Sequence, residues 1–314
     1  MPDQQIPMVV LGGSDRKSTR LPDGSEDKHP LSGYKGVDIR LGGRPMIETI
    51  VERLKAVGCF GPIYIAGPAR VYSRVQCGAS LIDANGSFGQ NIQSAMESVR
   101  AAHPDHPIGF ITCDVLPEPD SLKELITDYD QAAPCDLWFP LVQAPAEKER
   151  LGASSWKPLY SIAPADGEPA MRILPGHLVV VDPAALRLKF LYRLFQMGYR
   201  TRNRPIDRRR SVMVRKLLLG LLYQDLLHVL GLRFPALTWT VLRAGITAAR
   251  ELRDGTITRA RLENFLREIF VKYRHRRRFP DRRVVLPMVD VLWLAKDVDT
   301  EEEAREMGGD LSSS

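Results

Sequence analysis

Apolar residues along this chain fall into short unbroken runs that alternate with stripes at helical spacing. Pro7-Met8-Val9-Val10-Leu11 is one such run, closed by Gly12-Gly13. It predicts a buried first strand that ends in an open turn. Met46, Ile47, Ile50, Val51 and Leu54 then form a stripe between Pro45 and Gly58, which predicts a helix over 45–57 with proline in its first turn. Ile63–Pro68 reads as a second strand that stops in a Gly-Pro turn, and Ile108–Asp114 as a third that ends in a carboxylate. Helices are expected over 90–102 and 120–133, and strands at Asp136–Val142, Lys157–Ile162, Arg283–Pro287 and Val291–Ala295. Alternation of strand and helix predicts an α/β fold, a mostly parallel central sheet with flanking helices. Before the last strands come three amphipathic helices, Val212–Leu232, Ala236–Arg253 and Thr258–Tyr273. In the first, Leu218, Leu221, Leu222, Leu226 and Val229 make the stripe and Asp225 interrupts it.

Composition narrows the class. The 314 residues suit one large or two modest domains, and 44% apolar with 26% charged residues suit a soluble globular protein. The opening residues have neither a basic nor an apolar leader segment, and no uncharged apolar run approaches the ~18 residues of a spanning helix, so neither is expected. Cys59, Cys77, Cys113 and Cys135 show no Cys-x-x-Cys spacing; the expectation is a reduced, cytoplasmic protein with unpaired thiols.

Charge divides the chain. Residues 200–283 hold 22 Lys+Arg against 7 Asp+Glu, a net of +15, while the remainder holds 22 against 31, a net of −9. The expected organisation is a core of 1–200 and 284–307, a basic helical insertion at 201–283, and a disordered tail at 308–314.

The candidate chemistry begins at the glycine turn. Glycine lets backbone N–H groups approach an anion without a Cβ in the way. Arg16, Lys17, Arg20 and Lys35 follow, so strand, turn and cations read either as a triphosphate cradle or as an ordinary turn with surface cations. The polar loop 12–34 has the length of a lid. Asp114 falls at the carboxyl end of a strand, where open α/β sheets bind ligands. Ser87 and Asn91 also suit a helix N-terminus, and Thr300 with Glu303 suits a capping box.

The ordered set Leu11-Gly12-Gly13, Arg20-Leu21-Pro22, Lys35 and Gly43-Arg44-Pro45-Met46 resembles the nucleotidyltransferase superfamily, MobA-like NTP transferases in particular. The resemblance runs through 7–200 and returns at 284–305. It implies a GT-A/Rossmann-like fold and a Mg2+-dependent transfer of a nucleotidyl group from an NTP to a phosphorylated acceptor, with release of pyrophosphate. It further implies that Arg20, Lys35 and Asp114 are catalytic, and that Leu11, Gly12, Gly13, Ser14, Gly67, Gly86, Ser87 and Asn91 bind the nucleotide. Gly176 and His177, in Gly176-His177-Leu178 before Asp182-Pro183, match the acceptor side. Asp114 and Asp299 are the implied metal ligands, with Asp297 as the alternative in Asp297-Val298-Asp299-Thr300. Two departures stand out: Asp114-Val115-Leu116-Pro117 has one residue more than the family's Asp-x-Pro, and Glu301 replaces a proline.

A second class on the same fold, glycosyltransferases using a nucleotide-sugar, carries Asp-x-Asp at the mid-sheet strand, where this chain has only Cys113-Asp114-Val115. A third is a non-catalytic nucleotide-binding or membrane-surface protein. The basic segment 200–283 reads as a solvated helical face or as a peripheral contact with anionic lipid at the inner membrane face. The scarcity of aromatic residues among its arginines argues against nucleic acid.

Overall fold

In the computed structural model, β1 (Ile6–Leu11) is buried along its whole length near the middle of a seven-stranded sheet. Its side chains point alternately into two cores, Ile6, Met8 and Val10 into one and Val9 and Leu11 into the other. With both faces covered, the strand needs no polar side, which is why its sequence is an unbroken apolar run. The structure describes residues 5–13, 33–147, 150–152, 154, 157, 159–201, 221–222, 225–226, 229–230 and 237–308.

After β1 come α1 (Lys35–Asp38), a small hairpin of β2 (Arg40–Leu41) and β3 (Arg44–Pro45), and α2 (Met46–Ala56). β4 (Phe60–Gly67), α3 (Ala69–Tyr72), β5 (Ser80–Asp83), α4 (Phe88–Ala102), β6 (Ile108–Thr112) and α5 (Pro119–Ala132) follow. β1 is flanked by β4 and β6, both parallel to it, and β5 lies outside β4. On the far side of β6 the sheet continues through β11 (Leu178–Val181), β7 (Leu137–Trp138) and β12 (Val284–Val285). Only β11 runs antiparallel to its neighbours, so the mostly parallel α/β sheet expected from the sequence is the fold observed. α2 and α5 cover one face; α4 and α6 (Leu188–Thr201) cover the other. A second sheet, ordered β13-β8-β10-β9, is built from β8 (Leu141–Gln143), β9 (Tyr160–Ile162), β10 (Met171–Pro175) and β13 (Met288–Val289).

Three expectations are corrected here. Asp136–Val142 is not one strand: it divides into β7 and β8, which belong to different sheets. Pro140 lies between them and has no N–H to continue a ladder. Val291–Ala295 is not a strand but a 3-10 turn at Leu292–Leu294; so short an apolar run has no periodicity to tell strand from buried turn. The helix read over Thr258–Tyr273 ends at Phe270, because Val271 is extended (φ −90°, ψ 135°) and bridges to Leu186. β5, the β2–β3 hairpin and α6 were not read from the sequence.

Within the basic segment, α7 (Leu237–Asp254), α8 (Arg259–Phe270) and α9 (Tyr273–Arg278) are described. The described residues among 221–230 are helical; Leu218 and Arg208 to Arg210 lie outside the described residues. Ile257 and Val271 are fully buried in the same core as α4. The Arg187 guanidinium donates to the carbonyls of Glu268 (2.9 Å) and Ile269 (2.6 Å), closing the end of α8. Asp225, which breaks the leucine stripe in sequence, is buried and accepts from the Thr238 N–H at 2.8 Å, at the start of α7. Leu222, Leu226 and Val229 of that stripe are exposed, as are Leu230, Trp239 and Ile246. Among the described residues no helix is long and apolar enough to cross a membrane.

Candidate functional site

The carboxyl ends of β1, β4 and β6 meet at one edge of the sheet. The Gly12 N–H donates to Ala66 O at 2.9 Å and the Cys113 N–H to Leu11 O at 3.2 Å, so the turns after the three strands are tied together. The C-terminal segment reaches this edge through the Val298 N–H, which donates to Asp114 O at 2.7 Å. This bond sets Asp297 and Asp299, the residues on either side of Val298, at the end of β6. The Glu303 carboxylate accepts from the Asp299 N–H at 2.9 Å, and Thr300 Oγ1 accepts from the Glu303 N–H at 3.1 Å. The two bonds form the expected cap at the start of α10 (Glu301–Gly308).

Two ion clusters result. In the first, Lys35 Nζ donates to Asp299 Oδ1, and Asp299 is fully buried. Burial alone would lower the Lys35 pKa, but the carboxylates of Asp114, Asp299 and Asp297 raise it above lysine's ordinary value. In the second, Asp114, His177 and Asp297 present ligand atoms within 4.8 Å of one another. His177 Nδ1 lies 2.7 Å from Thr112 Oγ1 and 3.4 Å from Asp114 Oδ1; Nε2 lies 3.1 Å from Asp297 Oδ1. Lys157 Nζ stands between His177 Nε2 (2.9 Å) and Asp297 Oδ1 (2.7 Å) and also donates to Ala295 O at 2.8 Å. An ammonium can only donate, so the Lys157–Nε2 contact is a hydrogen bond only for the tautomer that carries its proton on Nδ1, facing Thr112 and Asp114. Burial would raise the Asp114 pKa, but His177 and Lys35 hold the carboxyl well below the usual carboxylate range.

The backbone explains why these side chains converge. A Cβ on Gly176 would lie 2.8 Å from Pro140 O and 3.1 Å from the Leu294 side chain, so glycine lets the chain pass between the two sheets. The His177 N–H then donates to Leu294 O at 2.7 Å, and the Asp297 N–H to Ser154 Oγ at 2.8 Å.

The other sequence candidates distribute as follows. Leu11 is a core residue. A Cβ on Gly12 would meet the buried Tyr72 ring at 2.6 Å, and one on Gly67 would meet it at 2.5 Å and Gly12 O at 2.8 Å. The smallness of both glycines is therefore already needed by Tyr72. Among the described residues nothing lies within 4 Å of where a Gly13 Cβ would be. At α4, Gln90 Oε1 accepts from both the N–H and the hydroxyl of Ser87 at 2.8 Å, and Asn91 Oδ1 accepts from the Gly86 N–H at 2.8 Å. The helix-start pattern seen in sequence is thus present there. Ser14 and Arg20 lie outside the described residues. Sequence reasoning missed Lys157 and Tyr72. Lys157 lies in a loop-rich stretch, and its partner Asp297 is 140 residues away, so no local pattern marks it.

No protein-family model matches the sequence, and no curated protein does. Comparison with solved structures finds similar chains. A hypothetical transferase from Thermus thermophilus aligns with a TM-score of 0.53 at 19% identity, over 95% of this chain and 99% of that one. A CMP:2-keto-3-deoxy-manno-octonic acid synthetase complexed with CTP aligns with a TM-score of 0.41 at 14% identity, over 69% of this chain and 86% of that one. At 19% identity the likeness to the first is one of fold alone.

Proposed function

We propose that the protein transfers a nucleotidyl group from an NTP to a phosphorylated acceptor at the carboxyl edge of its sheet. One observation carries the reading: a glycine turn, Lys35, Asp114, His177 and Asp297 converge where open α/β sheets bind ligands. The acceptor phosphate oxygen attacks the α-phosphorus in line. A new phosphorus–oxygen bond forms, the bond to the bridging β-phosphate oxygen breaks, and pyrophosphate leaves with that electron pair. An anionic acceptor needs no general base, so the site's work is positioning and charge neutralisation. In this reading the N–H groups around Gly13 face the triphosphate, Lys35 is held toward it by Asp299, and His177 borders the acceptor.

The donor set also fits a divalent cation. Among the described residues Asp114 Oδ1 is buried and accepts no hydrogen bond, and carboxylate oxygens are the hard donors that Mg2+ prefers. Asp114 and Asp297 would hold the ion, with His177 beside them. Bound there, it would offset charge on the phosphate oxygens. Lys157 already supplies one positive charge at that place. Contact of the basic segment with anionic lipid remains a proposal, consistent with the apolar side chains exposed near residue 230 and on α7.

Calorimetric titration with ATP, GTP, CTP and UTP in the presence of Mg2+ tests the reading. One nucleotide should bind selectively, and Asp114→Asn should lose the Mg2+ dependence of that binding. If no NTP binds but a nucleotide-sugar does, the chemistry is sugar transfer instead.

A further inference from the structure

The opposite edge of the same sheet holds a cavity of about 490 Å³. It lies at the start of β6 and β12 and the end of β11, and α9 forms one wall. The length of β6, five residues or roughly 16 Å, separates it from Asp114. Four cations line it, Lys272, Arg274, Arg278 and Arg282, against two carboxylates, Asp105 and Asp182.

The local carboxylates are largely committed. Asp182 pairs with Arg282 and also accepts from the Ala184 N–H at 2.8 Å. Beneath the cavity, Asp136 is fully buried, with Arg267 Nε at 3.5 Å and His275 Nε2 at 3.0 Å. Among the described residues neither Arg274 nor Arg278 forms an ion pair. Three of the four cations are also held in place. Arg278 and Arg282 lie over the Phe279 ring at 5.2 and 4.9 Å, and Lys272 Nζ donates to Ala184 O at 2.8 Å. Burial first and the Arg100 guanidinium second lower the Lys272 pKa below lysine's ordinary value, against the opposing pull of Asp182.

Like charges held together with free guanidinium donors favour an entering anion. Guanidinium forks match phosphate oxygens in shape, and the volume is that of a small-ligand site (~300–1,000 Å³), larger than one inorganic ion needs. We propose that this cavity binds the phosphate or diphosphate group of a phosphorylated ligand, with Arg274 and Arg278 as its donors. The site is separate from the carboxyl edge and does not depend on the nucleotidyl-transfer reading. A free phosphorylated molecule and a lipid headgroup carry the same recognised chemistry.

The test uses the full-length protein and two probes, inorganic pyrophosphate by calorimetry and vesicles containing phosphatidic acid by sedimentation. Arg274 and Arg278 are exposed, so an Arg274→Gln/Arg278→Gln variant should keep its thermal unfolding midpoint. Lys35→Ala controls for pyrophosphate at the carboxyl edge. The double variant should lose at least tenfold in affinity for one or both probes, with Lys35→Ala retaining that binding. Loss confined to vesicles identifies a lipid headgroup, and loss that includes pyrophosphate identifies a free phosphorylated ligand. Equal binding by wild type and double variant, loss of all binding in Lys35→Ala, or no binding of either probe overturns the proposal.

Discussion

The two edges of the central sheet are built from the same pair of residues. Cys113-Asp114 follows β6 at the carboxyl edge, and Cys135-Asp136 precedes β7 at the opposite one. In both, burial first and the adjoining aspartate second push the thiol up to about 12. The aspartates then meet different company. Asp114 shares its space with Asp297 and Asp299 and with two lysines, Lys35 and Lys157, besides His177. Asp136 and Asp182 face Arg267, His275 and Arg282, with further arginines around the cavity. One edge is left with an excess of carboxylate and the other with an excess of guanidinium. The residual sign at each edge indicates the charge of what should bind there, a cation with a phosphate chain at the first and an anion at the second.

The contrast can be broken most forcefully at Asp136. Asp136→Ala strips a fully buried charge from between Arg267 and His275 and should cost about 3–5 kcal/mol, read as a fall in the urea midpoint at unchanged slope. A shift below about 1 kcal/mol would mean that solvent already screens this cluster. Next in size are the two glycines. Gly12→Ala drives a Cβ to 2.6 Å from the buried Tyr72 ring and should lower stability by about 1–3 kcal/mol. Among the described residues Gly13→Ala meets nothing within 4 Å; it should leave the unfolding midpoint unchanged while weakening nucleotide binding. If Gly13→Ala binds nucleotide like wild type, the backbone there does not face the phosphates. The smallest effect sharpens the contrast at the carboxyl edge. Lys157→Met removes the internal cation between His177 and Asp297 and should tighten Mn2+ binding by about tenfold, measured by electron paramagnetic resonance. Unchanged affinity would place the ion elsewhere.

Much of the frame was readable because it rests on local signals. β1, β4 and β6 are short apolar runs with both faces buried, and α2, α4 and α5 have one apolar stripe each. The position of Asp114 at the carboxyl end of a strand was readable from the apolar run before it. What escaped depends on distant parts of the chain. The crossing at Gly176 is set by Pro140 and Leu294, and neither proximity leaves a mark in the sequence around it. Lys157 has no pattern until Asp297 is folded against it. The basic segment was visible as charge, but its anchoring through Ile257 and Val271 was not, because both residues sit in connections between helices.

The hydrogen bond from Val298 to Asp114 also has a consequence for synthesis. Asp114 leaves the ribosome with its strand, yet the carboxylates that complete its surroundings emerge only after residues up to 299 have been added. At about 5–20 residues per second, that interval is roughly 10–40 s. During it the nascent chain can assemble β1, β4 and β6 but carries an unfinished edge. A translating polysome therefore displays the turns after β1, β4 and β6 long before any one chain can assemble the complete carboxyl edge.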